Sequence, residues 1–388
     1  MEIQRVVMTG PRAVEVVRET LEDAPLAAHE VVLRTHYSLI SPGTELAHYI
    51  GTSDLGRHIA AQPYPWFPGY AAVGEVMAAG ADAGVTAGDL VLAHTPHQSA
   101  VRFDRRQRVC LRVPDGVRPA AATMGRLGQV SAVGIRTSAA RAGDWAAVIG
   151  LGLVGACAAQ LLRAAGMRVV GVETTPHRRA LTTRYGMTMV VDPRQDGALD
   201  AVAQQTGGCQ LVLECSGQPR GVETGLALAA RRGEVVLVGA AWRHDTEVLA
   251  TDIVRPIFDK YLTLRSGWEW QLPLYDNEPE GSIAGCTDWV LSCLREGSLR
   301  VDELITDTIT PADTATAYRQ LLDDPAAHLG VTSIGPTRPP ECAGGVLTPA
   351  PCGIGLSPLR QPNRLSHARG VSAVPHCRRT SYTKGDSS

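Results

Sequence analysis

No two of the nine cysteines are spaced as Cys-x-x-Cys; they are scattered at 110, 157, 209, 215, 286, 293, 342, 352 and 377. That spacing excludes the usual zinc patterns and gives no disulfide framework, so buried, reduced thiols in a cytoplasmic protein are expected. No apolar run approaches membrane-spanning length, so no membrane partner is expected. The opening Met1-Glu-Ile-Gln-Arg-Val-Val lacks a basic segment running into an apolar one, which argues against secretion. A formal net charge of −2 gives no electrostatic reason to expect nucleic acid. What remains is an ordinary chain of 388 residues, 44% hydrophobic and 20% charged, long enough for two domains with cores of their own.

The chain is organised around Trp145 to Glu173. Trp145-Ala-Ala-Val-Ile is an apolar run suited to a buried parallel strand. It leads into Gly150-Leu-Gly-Leu153-Val154-Gly155 and then into an Ala- and Leu-rich helix former ending near Ala165. A second apolar run, Met167 to Val172, closes on Glu173, 23 positions after Gly150. Strand, GxGxxG, helix, strand and acid in this order make a dinucleotide site. Gly150 permits the turn, Gly152 leaves room for the pyrophosphate, and Gly155 lets helix and strand close up. The helix N–H groups at Leu153 and Val154 face the phosphates. Glu173 is placed to accept the adenosine ribose hydroxyls and to repel a 2′-phosphate, which favours NAD. Arg178 and Arg179 would meet such a phosphate if the loop folded back, so NADP stays open.

Before this fingerprint, residues 1–118 read as short strands broken by Pro and Gly, such as Glu30-Val-Val-Leu-Arg-Thr and Ala72-Val-Gly-Glu-Val. Ala120 to Ala140 suits a helix. After Glu173, helices are expected over Arg178–Tyr185, Gly197–Gln205 and Gly221–Arg231. Strands are expected at Thr188–Val191, Gln210–Glu214, Glu234–Gly239 and Leu262–Arg265. Six strands separated by helices predict an α/β fold with a doubly wound parallel sheet. Helices near Thr287–Glu296 and Pro311–Leu322 and a strand at Gly330–Ile334 follow. Residues 336–388 are dense in Pro, Gly, Ser and Arg, with seven Lys or Arg against two Asp or Glu, and read as a disordered tail. Its three cysteines with His367 and His376 match no zinc spacing.

Two further stretches, Tyr37-Ser-Leu-Ile-Ser-Pro-Gly-Thr-Glu45 and Phe67-Pro-Gly-Tyr-Ala-Ala-Val-Gly-Glu-Val76, stand with Gly88-Asp89, Gly143-Asp144, Glu214-Cys-Ser-Gly217 and Val236-Leu-Val-Gly239. Together these resemble the medium-chain alcohol dehydrogenase superfamily over about residues 1–335. The resemblance implies a Rossmann domain at 119–273 and a GroES-like catalytic domain at 1–118, completed by 274–335, with the active site between them. It implies Gly239 at the cofactor as well. Zinc members carry Cys-Gly-Thr-Asp where this chain has Pro42-Gly-Thr-Glu45, and Gly-His-Glu where it has Gly69-Tyr-Ala71. The remaining ligand should fall in Thr123–Gly128, which has neither Cys nor His, and of the four-cysteine lobe only Cys110 remains. A zinc-free member is expected. The Ser-Pro-Gly-Thr-Glu and Pro-Gly-Tyr forms, with Trp268-Glu-Trp-Gln271, look most like the bacteriochlorophyllide dehydrogenase branch. That branch oxidises a hydroxyethyl group on a chlorin ring to an acetyl group.

Without a metal, an alcohol–ketone hydride transfer needs a hydroxyl or imidazole to move the proton. Thr44 matches the relay hydroxyl of the zinc enzymes, and Tyr70 stands in the vacated histidine position. His94 follows a strand that brings pocket-lining residues and would titrate near neutrality. The plainer readings are a turn-capping threonine, a packing tyrosine and a surface histidine. Glu45 and His48 are read as orienting the loop. Trp268 and Trp270 could stack on a planar substrate; the preferred reading is a subunit interface, because the superfamily often extends its sheet across a homodimer. The expected activity is a zinc-independent NAD(P) oxidoreductase acting on a secondary alcohol or ketone of a bulky small molecule, tetrapyrrole or specialised metabolite. The competing readings are a quinone or enoyl C=C reductase and a non-catalytic dinucleotide-binding protein.

Overall fold

A computed structural model describes residues 1–51, 63–241, 247–276 and 281–335, all within the first of two compact units, Met1–Pro339. The tail expected over 336–388 lies outside the described residues. The chain begins with an antiparallel ribbon, β1 (Glu2–Gly10) and β2 (Ala13–Thr20). Then come β3 (Glu30–Leu39), α1 (Pro42–Ile50), β4 (Ala72–Ala79), β5 (Leu90–Ala93), β6 (Ala100–Asp104) and β7 (Cys110–Arg112). Val31 and Leu33 of β3 are fully buried while Glu30, Val32 and Arg34 are half out, the alternation of a sheet with one covered face.

The reading of residues 1–118 as strands and turns missed α1. Ser41-Pro-Gly-Thr has turn composition, but Pro42 occupies the first turn, where its missing N–H costs nothing. Gly51 then closes the helix at φ 75°. The Ala-rich stretch expected as one helix is divided into α2 (Pro119–Ala122) and α3 (Met124–Arg136). The division falls at Thr123, whose hydroxyl donates to Ala120 O at 2.6 Å.

The second sheet contains β8 (Trp145–Ile149), β9 (Arg168–Val172), β10 (Met189–Val191), β11 (Cys209–Glu214), β12 (Ala229–Leu237) and β13 (Thr263–Ser266). Interleaved are α4 (Leu153–Ala164), α5 (Pro176–Thr183), α6 (Ala198–Thr206), α7 (Pro219–Leu228) and α8 (Ala250–Lys260). Among the described residues the strand order is β10-β9-β8-β11-β12-β13, every pairing parallel. All five residues of β8 are buried, as a sheet covered on both faces requires. The chain leaves β8 toward β9 and later returns to β11 on the other side, so the ligand crevice of such a sheet opens at the carboxyl ends of β8 and β11. The helix expected to reach Arg231 stops at Leu228, because Ala229 already pairs with Cys209. α8 was not foreseen: it carries Pro256 inside and buries none of its residues.

The last elements are α9 (Ile283–Glu296), β14 (Ile305–Ile309), α10 (Thr314–Asp323) and β15 (Gly330–Ile334). β15 pairs antiparallel with β3 and parallel with β14, completing the order β14-β15-β3-β4-β5-β7, with β6 also on β3. One core joins the two sheets. Leu39 and Ala71 from the antiparallel side pack with Leu127, Val148, Leu161 and Val290. Each such buried aliphatic side chain contributes about 1.5–3 kcal/mol. α3 packs on both α4 and α9, which carries its amino end to the boundary between the sheets.

Candidate active site

The glycine loop leaves β8 at Gly150, whose φ of 84° lies in the left-handed region. A Cβ at Gly155 would collide with the Gly150 carbonyl, whereas one at Gly152 would meet only Arg178 Nη1, at 3.8 Å. The first position closes helix on strand; the second leaves a cradle. α4 starts at Leu153 and Val154, so its first N–H groups face that cradle. Glu173, 6% exposed at the end of β9, accepts from Leu151 N and Thr175 N, each at 2.8 Å. Arg178 Nη1 lies 3.9 Å from its carboxylate, Nη2 donates to Pro325 O at 2.8 Å, and Nε is buried without a partner. Arg179 is engaged elsewhere, with Glu173 O at 2.8 Å and Asp192 at 3.0 Å. Gly239 N donates to Glu214 O at 2.8 Å, placing it at the carboxyl end of the sheet. An open cradle, a helix start, an acid and an orphaned guanidinium N–H fit the pyrophosphate and ribose of a dinucleotide.

Thr44 sits in the first turn of α1, Tyr70 just before β4 and His94 just after β5. The Tyr70 phenol donates to Ser41 Oγ, and the Thr44 hydroxyl is also within hydrogen-bonding reach of it. Burial raises the phenol above its ordinary value, opposed first by the charge of Arg126. Tyr70 is therefore protonated at neutral pH. His94 is 8% exposed with Nε2 unpartnered, so it is not a surface histidine. Nor does it titrate near neutrality, because burial, then the charges of Arg126 and Arg108, push it well below 6.5.

Arg126 and Glu269 were missed, since Thr123–Gly128 was searched for Cys and His alone and Trp268-Glu-Trp-Gln was read for its tryptophans. Arg126 Nη2 donates to Glu269 at 2.5 Å, and its Cζ stands 4.7 Å over the Tyr70 ring. A charged residue inside an otherwise apolar helix turn was the available signal. His97 and Tyr318 were missed too: both donate to the fully buried Glu45, His97 at 3.0 Å. Glu45 also accepts from Ser41 N at 2.8 Å, which ties down the loop under Tyr70. His48 stacks on Trp66 at 3.9 Å. Trp268 and Trp270 are 61% and 58% exposed.

Zinc meets a different surface. Pro42 offers no ligand atom, Tyr70 is committed to Ser41, and Arg126 fills Thr123–Gly128 with a cation. Among the described residues no group of three His, Cys, Asp or Glu is placed to hold a metal. The cysteines among them are free, with burial lifting the Cys110 and Cys157 thiols to about 12.

The parallel sheet and its glycine loop define a dinucleotide-binding α/β protein. A family model described as zinc-binding dehydrogenase matches residues 154–270, within the parallel-sheet region and clear of Pro42 and Tyr70. The chain is 29% identical over 342 residues to 2-desacetyl-2-hydroxyethyl bacteriochlorophyllide A dehydrogenase of Rhodobacter capsulatus, covering 84% of this chain and 96% of that one. It is 25% identical over 355 residues to D-guloside 3-dehydrogenase of Escherichia coli strain K12, covering 85% and 100%. The solved galactitol-1-phosphate dehydrogenase of Escherichia coli superposes with a TM-score of 0.73 at 18% identity, over 85% of this chain and 99% of that one. Together these likenesses support a place in the medium-chain dehydrogenase/reductase, or alcohol dehydrogenase, superfamily. Among the described residues no helix is long and apolar enough to cross a membrane.

Proposed function

We propose that the protein is a zinc-independent, NAD-preferring oxidoreductase that interconverts a secondary alcohol and a ketone, of the 1-hydroxyethyl and acetyl type, on a bulky ring substrate. The observation that carries this reading is the protonated Tyr70 phenol, supported by Ser41 and Thr44 and backed by Arg126, where zinc ligands would stand. The bound nicotinamide supplies or accepts the hydride. Everything else falls to side chains. In the reducing direction Tyr70 donates its proton to the carbonyl oxygen, a contribution of roughly 10²–10⁴-fold. Thr44 and Ser41 hold the phenol and share the charge left on it. His94 stays neutral, its Nε2 buried and unpartnered and its ring within the field of Arg126. The relative from Rhodobacter capsulatus is named for a hydroxyethyl bacteriochlorophyllide, which supports the substrate type.

The test is nicotinamide absorbance over a panel of 1-hydroxyethyl arenes, hydroxyethyl chlorins, their acetyl counterparts and enones, with and without chelator. Turnover of alcohol or ketone that survives chelation, and a drop of roughly 10²-fold in Tyr70→Phe, is expected. Activity abolished by chelator and restored by zinc would overturn the metal-free reading. Turnover of enones alone would replace the reaction.

A further inference from the structure

Arg126 is 6% exposed and Glu269 is 7% exposed. Beyond Glu269, the guanidinium donates from Nη1 to Gln129 Oε1 at 2.7 Å. Arg126 Nε and Gln129 Nε2 are buried with no partner. A buried ion pair is costly to desolvate, and well-packed apolar residues usually serve stability as well or better. Orphaned N–H groups beside it add to that cost. Packing therefore does not account for this pair. The Arg126 Cζ stands 4.7 Å from the centroid of the Tyr70 ring, within the range of a cation–π contact. α3 also ties it to the cofactor loop, because Ser131 Oγ, a turn and a half further on, donates to Val154 O at 2.9 Å.

We propose that Arg126 is a positioning residue that acts through Tyr70, holding a fixed positive charge against the phenol so that the negative charge left on Tyr70 is stabilised when its proton departs. The inference rests on the reading that Tyr70 is the proton donor. In ketone reduction a hydride from the reduced nicotinamide forms the new C–H bond. The Tyr70 O–H bond breaks, the product O–H forms, and solvent reprotonates the phenolate. The groups around Tyr70 are Arg126 from α3, Glu45, Ser41 and Thr44 from α1 and its cap, and the protonated Tyr318 from α10, with neutral His94 beyond Arg126. Of the charged ones, Arg126 favours the phenolate and Glu45 opposes it.

The experiment is a double-mutant cycle on NADH-dependent reduction of acetophenone or the best ketone found above. Arg126→Met with Glu269→Met removes the cation without leaving a lone buried carboxylate. This pair should lower kcat roughly 10–10²-fold, with ketone KM and NADH affinity within about threefold. In a Tyr70→Phe background the same pair should change kcat by less than about threefold, because the group it acts through is gone. Arg126→Lys, which keeps the charge but not the planar guanidinium, should recover part of the rate. Additive losses, or a wild-type kcat in the paired variant, would overturn the proposal. The ultraviolet tyrosinate titration, taken as each protein minus its Tyr70→Phe counterpart, needs no substrate. Tyr70 should ionise at higher pH once Arg126 is replaced by Met or weakened to Lys; an unchanged midpoint refutes the inference even if no ketone is turned over. Absence of all turnover with a shifted midpoint would instead refute the proposed reaction.

Discussion

Glu173 orders the glycine loop through Leu151 N and Thr175 N, and the proposed cofactor site gives the same carboxylate the ribose to read. Oε1 already accepts from Thr174 Oγ1 and Thr175 N, whereas Oε2 accepts from Leu151 N and keeps a lone pair for a ribose hydroxyl. A 2′-phosphate would place like charge against it, disfavouring NADP by a few kcal/mol, on the order of 10²-fold. Glu173→Ser should weaken NAD and improve NADP, since Arg178 Nη1, now 3.9 Å from the carboxylate, is released to pair with phosphate. Arg179 contributes less, being held by Asp192. The check is kcat/KM for both cofactors on both proteins at one ionic strength. A wild-type preference for NADP would sink it. Glu173 was legible because its spacing from Gly150 is local, set by one strand, one helix and one more strand. Arg126, Glu269, His97 and Tyr318 were not. Their roles come from partners 143, 52 and 273 positions away.

At the scale of elements, the turn from β8 into α4 separates two duties that the GxGxxG pattern merges. A Cβ at Gly155 would strike the Gly150 carbonyl, pushing α4 off β8, while a Cβ at Gly152 enters open space beneath Arg178. Gly155→Ala should lower the melting temperature and cofactor affinity together, the stability loss being about 1–3 kcal/mol as for other overpacked sites. Gly152→Ala should melt as wild type yet bind NAD at least about tenfold more weakly, because it crowds the pyrophosphate. Calorimetry and NADH fluorescence read the two effects. Equal melting temperatures for the two variants would contradict this division. Here the buried strands were readable from apolar runs, and α1 was not. Ser41-Pro-Gly-Thr favours a turn, and the helix stands because its own Glu45 caps Ser41 N and is held by His97 and Tyr318 from separate parts of the chain.

For the whole molecule, β13 is the edge strand of the parallel sheet among the described residues. Phe258, Tyr261 and Trp268, on or near α8 and β13 in the chain, are 76%, 62% and 61% exposed, more apolar surface than a solvent face usually carries. With Val254 and Leu249 also exposed, the expectation is a homodimer formed across this face, the β13 edges pairing about a two-fold axis. Sedimentation should give twice the chain mass, and Val254→Glu with Phe258→Asp should give a folded monomer. A monomeric wild type would remove the assignment. The sequence offers Trp268 and Trp270 for this interface, but not the contribution of α8. Its apolar residues follow a helical period that normally signals burial, and Pro256 conceals the helix.

Fold class, superfamily and cofactor loop follow from short-range order: apolar runs of strand length, glycines at fixed spacing, an acid one βαβ unit on. Those signals are local because backbone sterics and hydrogen bonding act over a few residues. The replaced ligand positions Pro42 and Tyr70 are equally local, being matters of residue identity. The electrostatic character of the site is not. Tyr70 gains its hydroxyl partners, His94 its burial and Arg126 its place over the Tyr70 ring only when α1, β4, β5 and α3 meet at the boundary between the sheets. Burial and the distance between charges set ionisation, and both are properties of packed elements rather than of neighbours along the chain.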